Sequence, residues 1–296
     1  MGFTLYVPTV YDSSHHFDRL IKLCNEVNQM PQEALDITVD FHYCQFLGHN
    51  GVAFLGGLAR LVESRGSKVI FNWDTLPKNI KMNLAQNGFL GNFGCQQGPW
   101  DGNSIPYRND LQQDASGLMD YLKAKWLGRG WVNVSESLKD LIVGKVWEIY
   151  TNAFEHSGSA VGVFSCGQHY PNQSELHLTV VDFGRGIPAN VRSLPQNSSM
   201  STEAALQWAF QPGTTTKHGI GRGLGLDLLR KFVTMNKGRL AIFSNEGFVL
   251  IEKDKEVYES RHIAFAGTLV NITFQCDESY YCLASEVSNT DDGLFF

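Results

Sequence analysis

Three polar side chains, Glu148, Asn152 and His156, recur at every fourth position along one predicted helix. This spacing places them on one helix face, turned away from the apolar stripe. A carboxylate one turn from an amide can orient a water beside Mg²⁺, because the carboxylate accepts a proton and the amide oxygen is a hard ligand. Taken alone, such a trio is more often a solvated helix face.

A second group follows an apolar strand, in the string VVDFGRGIP. Its carboxylate, Asp182, stands at the strand end, where it can accept a hydrogen bond from an exocyclic amine such as that of adenine. Gly184 and Gly186 would let the backbone approach a ring closely. The same pattern is equally typical of an ordinary strand-end turn, and the residues alone leave both interpretations open.

A glycine-rich segment, Gly219–Leu226 (GIGRGLGL), opens a predicted helix. Free N–H groups and the helix dipole at such a junction bind phosphate oxygens, although a flexible hinge is the alternative. The segment is neither a Walker loop nor a dinucleotide-binding fingerprint, since the required spacing is absent. The preceding loop, Gln211–His218, carries three threonines and Lys217 and is either a mobile lid over phosphates or a plain surface loop.

The order of these four motifs resembles that of the histidine-kinase-like ATP-binding superfamily, over about residues 111–276. That superfamily includes DNA gyrase, a class of heat-shock chaperones, MutL-type repair proteins, histidine kinases and anti-sigma-factor kinases. The string that runs from Asn152 to His156 looks most like the anti-sigma-factor kinase branch. The resemblance implies the Bergerat fold, an α/β sandwich that holds ATP with Mg²⁺ between the sheet, helices and lid.

The resemblance also implies a role for each motif residue. Glu148 matches the general base, Asn152 the Mg²⁺ ligand and Asp182 the aspartate that reads adenine. The other residues that we expect at the ATP are His156, Gly184, Gly186, Thr214, Thr215, Thr216, Lys217, Gly219, Gly221, Arg222, Gly223, Leu224 and Gly225.

Residues 1–95 alternate strands with helices, a pattern typical of a small α/β domain. The predicted strands are Phe3–Pro8, Ala34–Phe41 and Lys68–Trp73, and the helices are His15–Gln29, Gly51–Ser64 and Asn79–Gln86. This part looks like the STAS fold of anti-sigma-factor antagonists. Where that family carries a phosphorylated serine, this chain has Gly48, His49, Asn50 and Gly51. We therefore expect no phosphoserine switch, and we interpret His49 as a loop residue at a helix N-terminus rather than a phosphohistidine.

Composition shifts divide the chain further. Residues 96–110, rich in Gly, Pro, Asn and Gln, predict a linker. Residues 111–276 form the predicted ATP-binding domain, which begins with a helix over Leu111–Trp126 and another over Ser135–Asn152. Residues 277–296 hold five acidic and no basic side chains and predict a disordered tail. The expected fold class is therefore α/β throughout: a small STAS-like domain followed by a Bergerat-fold sandwich.

The composition is that of a soluble globular protein, with 43% hydrophobic and 18% charged residues among 296. The net charge of −6 disfavours nonspecific nucleic-acid binding. No apolar run reaches membrane-spanning length, the N-terminus lacks a signal-peptide pattern, and the six cysteines are scattered. We expect a cytoplasmic protein with reduced thiols.

Two functional hypotheses follow from these observations. In the first, the protein is a Mg²⁺-dependent enzyme that hydrolyses ATP or transfers its phosphoryl group to a partner protein. A histidine autokinase is not expected, because no His-Glu dimerisation box precedes the ATP domain. In the second, it is a non-catalytic ATP/ADP-sensing switch that binds a partner through the STAS-like domain. A MutL-like clamp dimer is less favoured, although the ATP domain itself could form a homodimer.

The lid hypothesis makes one prediction from sequence alone. Hydrogen exchange over residues 211–221 should slow with a non-hydrolysable ATP analogue but not with ADP, because only a γ-phosphate engages the threonines and Lys217. A second protected patch is expected at residues 45–60, and Lys217→Ala should blunt both changes. Equal exchange in the ADP and analogue states would contradict the lid assignment.

Overall fold

The structure is a computed structural model that describes residues 2–30, 36–95, 98–211, 214, 225–286 and 294–295. Its first part carries a three-stranded parallel sheet in the order β1-β2-β3, in which Phe3 pairs with Ile37 and Ile37 with Val69. The six elements predicted for this part are all present. They are β1 (Phe3–Tyr6), α1 (Ser14–Gln29), β2 (Ile37–Asp40), α2 (His49–Ser64), β3 (Val69–Asn72) and α3 (Lys78–Gln86), followed by a short α4 (Phe89–Asn92).

The second part is built on a five-stranded antiparallel sheet in the order β4-β6-β7-β9-β8. Its strands are β4 (Ser104–Asp110), β6 (Val163–Tyr170), β7 (Glu175–Asp182), β8 (Arg239–Glu252) and β9 (Lys255–Gln275). Its helices are α5 (Ala115–Asp120), α6 (Glu136–His156), α7 (Ile187–Arg192), α8 (Thr202–Ala209) and α9 (Gly225–Met235). Short strands β5 (Asn133–Val134), β10 (Tyr280–Cys282) and β11 (Leu294–Phe295) form a separate small sheet.

Side chains of the five-stranded sheet alternate between two apolar layers, as the pleat requires. On one face, Leu178, Val180 and Val270 pack against α5, α6 and α9 in what we call the helix-side core. On the other face, Val181 and Leu269 join the apolar residues of the N-terminal part in a second cluster, the α2-side core. Every residue of β7 from Leu176 to Asp182 is buried, because both faces of that strand are covered.

Helix α2 supplies most of the apolar residues that cover this second face of the sheet. Its residues from His49 to Ala59 are buried on all sides, so the helix lies inside the molecule rather than on its surface. It packs between the parallel sheet and the five-stranded sheet. The two predicted domains therefore share the α2-side core, where the sequence suggested a sandwich with a separate neighbour.

Three sequence predictions need correction. Residues 104–110, assigned to a linker, form β4, the edge strand that pairs with β6. The helix predicted from Leu111 begins at Ala115, where the Asp114 carboxylate caps the Gly117 N–H, and it continues in π-helical form over Tyr121–Trp126. The predicted disordered tail contributes β10, whose Tyr281 is buried and which pairs with β5.

The described residues of both parts contain no helix with the length and apolar character needed to cross a bilayer.

A buried polar network joins the two parts. His177 on β7 contacts the Asp12 carboxylate at 3.1 Å through Nδ1 and the Glu175 carboxylate at 2.9 Å through Nε2. Arg239 on β8 pairs with the same Asp12, so two side chains of the sheet hold this N-terminal carboxylate. Burial alone would lower the pKa of His177, but the hydrogen bonds with Asp12 and Glu175 raise it.

His49, at the start of α2, completes the network in its neutral form. Its Nε2 donates to Asn271 Oδ1 at 2.9 Å, while Asn271 donates to Asp12 at 2.9 Å. Burial lowers the pKa of His49 to about 3, so the ring stays uncharged. The residue predicted to be a loop residue at a helix N-terminus is the first residue of that helix and a contact between the two parts. Its burial leaves it inaccessible to a phosphoryl donor.

We expect His177→Gln to destabilise the protein more at pH 6 than at pH 9. The pKa of His177 is higher in the folded protein than in the unfolded chain. The stabilisation that the charged imidazolium contributes is therefore fully present below the unfolded-state pKa, and it is lost as the pH rises through the folded-state pKa. Loss of the buried ion pair should cost about 3 kcal/mol at the lower pH. Urea unfolding of both proteins at the two pH values measures the difference. An equal loss at both would show that His177 is neutral in the folded protein.

Candidate functional site

One cavity of about 270 Å³ opens between α6, the helix-side face of the sheet, α7 and α8. Polar residues at its wall include Lys145, Glu148, Asn152, His156, Ser157, Asp182, Asn190, Thr214 and Thr268. Apolar lining comes from Ile149, Ala153, Val180, Ile187, Val191, Leu226, Ile242 and Val270, and two tryptophans, Trp147 and Trp208, complete the wall. An apolar cleft with a few convergent polar groups is the usual form of a small-molecule site.

Helix α6 positions one side of this cavity. The Ser135 side chain caps its N-terminus by accepting from the Leu138 N–H, and its apolar stripe, including Ile142 and Val146, is anchored in the helix-side core. The opposite face then points Glu148, Asn152 and His156 at the cavity. All three residues therefore line one cavity, which is consistent with the shared helix face that their spacing predicts.

Glu148 already has a partner. Lys145, one turn earlier on the same helix, donates from Nζ to Glu148 Oε1 at 2.5 Å. The Glu148 side chain is 33% exposed, so water reaches it from the cavity. The pair is therefore partly solvated and of modest strength, and the lysine can leave when another anion competes for it.

Asp182 lies at the other side, at the end of β7, and is only 4% exposed. Its Oδ1 accepts the Gly184 N–H at 3.0 Å. Burial raises the pKa of this carboxyl to about 7, although hydrogen bonds from Gly184 and Ser157 act in the opposite direction. At neutral pH, Asp182 is therefore close to half ionised: the carboxylate form accepts hydrogen bonds, and the protonated form can also donate one.

The turn after Asp182 is fixed by close backbone contacts. The Arg185 N–H donates to the Ser157 carbonyl at 2.7 Å, which joins the turn to the end of α6. A Cβ at Gly184 would lie 2.3 Å from that same carbonyl oxygen, and Gly186 has a φ of +82°. Both glycines are thus required by contacts within the protein.

Of the predicted site residues, Glu148, Asn152, His156, Asp182 and Thr214 line the cavity. Gly184 lies in the turn beside it, Gly186 is the N-terminal cap of α7, and Gly225 begins α9. The remaining predictions fall outside the described residues: Thr215, Thr216, Lys217, Gly219, Gly221, Arg222, Gly223 and Leu224.

Sequence reasoning missed several wall residues. Lys145 could have been found, since it lies three residues before Glu148 on the same helix face. Thr268 could not, because only the strand register that pairs it with Asp182 brings it to the site. Trp208 comes from α8, whose position over the cavity no local pattern reveals.

Among the described residues, one other group could hold a metal, namely Asp12, His49 and His177. Their ligand atoms lie within 4.8 Å of one another. However, both ring nitrogens of His177 already contact carboxylates, and the Asp12 carboxylate is already paired with Arg239. Because a cation there would displace existing donors, this cluster fits a structural network better than a metal centre.

Comparison with known families agrees with the geometry. Residues 139–276 match the model of the histidine kinase-, DNA gyrase B- and HSP90-like ATPase family. The matched segment is slightly less than half of the chain, and the match supports an ATPase domain of this kind within it. No curated protein matches the chain. The match supports the resemblance drawn from the motifs, whereas the anti-sigma-factor kinase branch and the STAS-like assignment stay predictions.

The residues of the matched segment fit the adenine nucleotide that this family implies. Asp182 is a buried polar group at the floor of an apolar cleft, as a reader of an exocyclic amine must be. Beside it, Val180, Ile187 and Val191 offer apolar surfaces for a flat ring. The start of α9, which begins at Gly225, and the side chains of α6 lie at the same cavity and suit an anionic tail.

ADP affinity should rise as pH increases from 6 to 8, because the adenine amine needs the ionised form of Asp182, whose pKa is about 7. Asp182→Asn should bind more weakly and lose the part of the pH dependence that Asp182 contributes. Fluorescence of Trp147 and Trp208 at the cavity wall reports binding. Since titration of the nucleotide itself is common to both proteins, identical pH profiles would remove Asp182 from the adenine contact.

Proposed function

We propose that this protein is a Mg²⁺-dependent ATPase or phosphotransferase that couples ATP turnover to control of a partner protein. The observation that carries the proposal is the convergence of two carboxylates, Glu148 and Asp182, on one cavity from separate elements. The family match at residues 139–276 adds ATP binding and possible phosphoryl transfer.

The two carboxylates have different environments and therefore different tasks. Asp182 is buried and fixed, which suits recognition of the base. Glu148 is one-third exposed, which suits contact with a water molecule. In the proposed reaction, the Glu148 carboxylate accepts a proton from water as that water attacks the terminal phosphorus, and the leaving group is ADP.

Asn152 is the proposed ligand for Mg²⁺. It lies one turn after Glu148 on α6, is exposed to solvent and lines the cavity. An amide oxygen suits a hard cation that keeps several of its waters, so a single protein ligand is sufficient. Mg²⁺ supplies neutralisation of phosphate charge when bound, and Asn152 would hold it on the side of the cavity that Glu148 faces.

Lys145 is proposed to change partner during this cycle. In the described structure it donates to Glu148 Oε1 at 2.5 Å and so occupies an oxygen that the attacking water would need. A terminal phosphate carries more negative charge than the single, partly exposed carboxylate of Glu148 and attracts an ammonium group more strongly. Transfer of Lys145 to the phosphate would free Glu148 when ATP is in place.

The same contact favours a second candidate function, a non-catalytic switch that senses ATP and ADP. If Lys145 stays on Glu148 with ATP bound, the site binds nucleotide without activating water. In that case partner binding responds to the nucleotide alone. Whether a protein or water accepts the phosphoryl group, and whether the protein forms a homodimer, are further parts of the proposal.

Glu148→Ala should keep nucleotide binding and reduce phosphate release or partner phosphorylation by about 100- to 10,000-fold, the range that a positioned general base supplies. A matched control is Glu136→Ala. Glu136 lies on the same helix and pairs at 2.5 Å with Lys139, which follows it by three residues, but Glu136 lies outside the cavity. Radiolabelled ATP with and without candidate partners measures both products.

Three outcomes separate the possibilities. Equal loss in both variants would mean that ion pairs on α6, rather than a base, support turnover. A wild-type protein that binds ATP without turnover or partner labelling would establish the switch. A wild-type protein that binds no adenine nucleotide would contradict the proposal as a whole.

A further inference from the structure

Helix α2 runs directly behind the adenine side of the cavity, on the opposite face of the sheet. At Gly57 its backbone touches two aromatic rings of that sheet. A Cβ at this position would lie 2.2 Å from Phe183 Cε2 and 2.7 Å from Phe164 Cδ2. Only a residue without a side chain permits this approach, so the helix is seated against the Phe183 ring.

Phe183 is the residue directly after Asp182. Because successive side chains point to opposite faces, Asp182 enters the cavity and Phe183 enters the α2-side core. There its ring lies 5.2 Å from the Phe54 ring of α2 and 5.4 Å from the Phe265 ring of β9, measured between centroids. These edge and tilted contacts bury the ring and fix its orientation.

The other side of the turn cannot absorb a displacement. Gly184 is in contact with the Ser157 carbonyl, and Arg185 is hydrogen-bonded to the same group. Gly184 also donates to the Asp182 carboxylate. A shift of Phe183 away from α2 must therefore move Asp182 itself, since the next residues are held by α6.

We propose that the N-terminal part determines adenine-nucleotide affinity through the contact between Gly57 and Phe183, with Phe183 as a positioning residue for Asp182. This inference rests on the proposed function, in which Asp182 reads the adenine. It makes helix α2 a regulatory element of the nucleotide site, although α2 contributes no atom to the cavity wall. Any ligand or partner that shifts α2 would change ADP and ATP affinity by the same route.

The chain supplies a matched pair of variants for the test. Gly57→Ala places a methyl group against Phe183. Gly56→Ala, on the next residue of the same helix, places one 2.2 Å from the Tyr107 hydroxyl oxygen, at β4 and away from the cavity. Both changes add one carbon, both create an equally short contact, and both raise helix propensity.

We expect Gly57→Ala to weaken ADP binding about tenfold, which corresponds to about 1.4 kcal/mol, and Gly56→Ala to leave it nearly unchanged. Binding of inorganic tripolyphosphate, a probe of the phosphate side alone, should change in neither variant. Calorimetry at a temperature where circular dichroism shows both variants folded gives these affinities. An equal effect of the two variants on ADP, or a loss of both ligands in Gly57→Ala, would overturn the positioning role.

A second variant covers the case in which Gly57→Ala does not fold. Phe183→Leu leaves Asp182 less firmly held and should weaken ADP binding about threefold on its own. In the Gly57→Ala background the smaller side chain should restore affinity, which a double-mutant cycle measures as coupling. Unchanged ADP affinity in Phe183→Leu, or purely additive losses in the cycle, would overturn the inference.

Failure of the two proposals can be told apart. If the wild-type protein binds no ADP, the proposed function fails and this inference fails with it. If the wild-type protein binds ADP and Asp182→Asn weakens it, while Gly57→Ala behaves like Gly56→Ala, only the inference fails.

Discussion

The five-stranded antiparallel sheet has two apolar faces, and both must be removed from water. Helices α5, α6 and α9 cover one face, and α2 covers the other. Everything at the candidate site depends on this double cover, because it buries β7 completely and makes Asp182 a carboxyl group in an apolar environment.

The site contains two carboxyl groups, Asp182 and Glu148, that differ in their exposure to solvent. Asp182 is held by backbone contacts, and its pKa is raised to about 7 by burial. Glu148 is partly solvated and accepts a hydrogen bond from Lys145. The proposed function follows this difference, since it gives recognition of the base to the buried, fixed group and contact with water to the accessible one.

Much of this arrangement could be predicted from sequence where the information is local. The i, i+4 spacing of Glu148, Asn152 and His156 fixes a shared helix face, and the apolar string before Asp182 fixes a strand end. The edge strand β4 was missed because its glycine- and proline-rich surroundings read as a linker. Contacts between distant segments, such as Thr268 beside Asp182 or α2 behind the sheet, follow from strand register and packing, which no short pattern encodes.

Because α2 covers one face of the sheet, the segment that matches the family differs from the segment that buries its own core. The segment matched by the family, residues 139–276, carries the nucleotide motifs but not the helix that seals the back of its sheet. Expressed by itself, that segment would expose to water the apolar surface that contains Phe164, Phe183, Phe243 and Phe265. A fragment that buries this surface must therefore be longer than residues 139–276 and must include α2. A gene fragment designed from the motif boundaries would expose this apolar face, which favours aggregation, whereas a fragment that begins before α2 includes the helix that covers it.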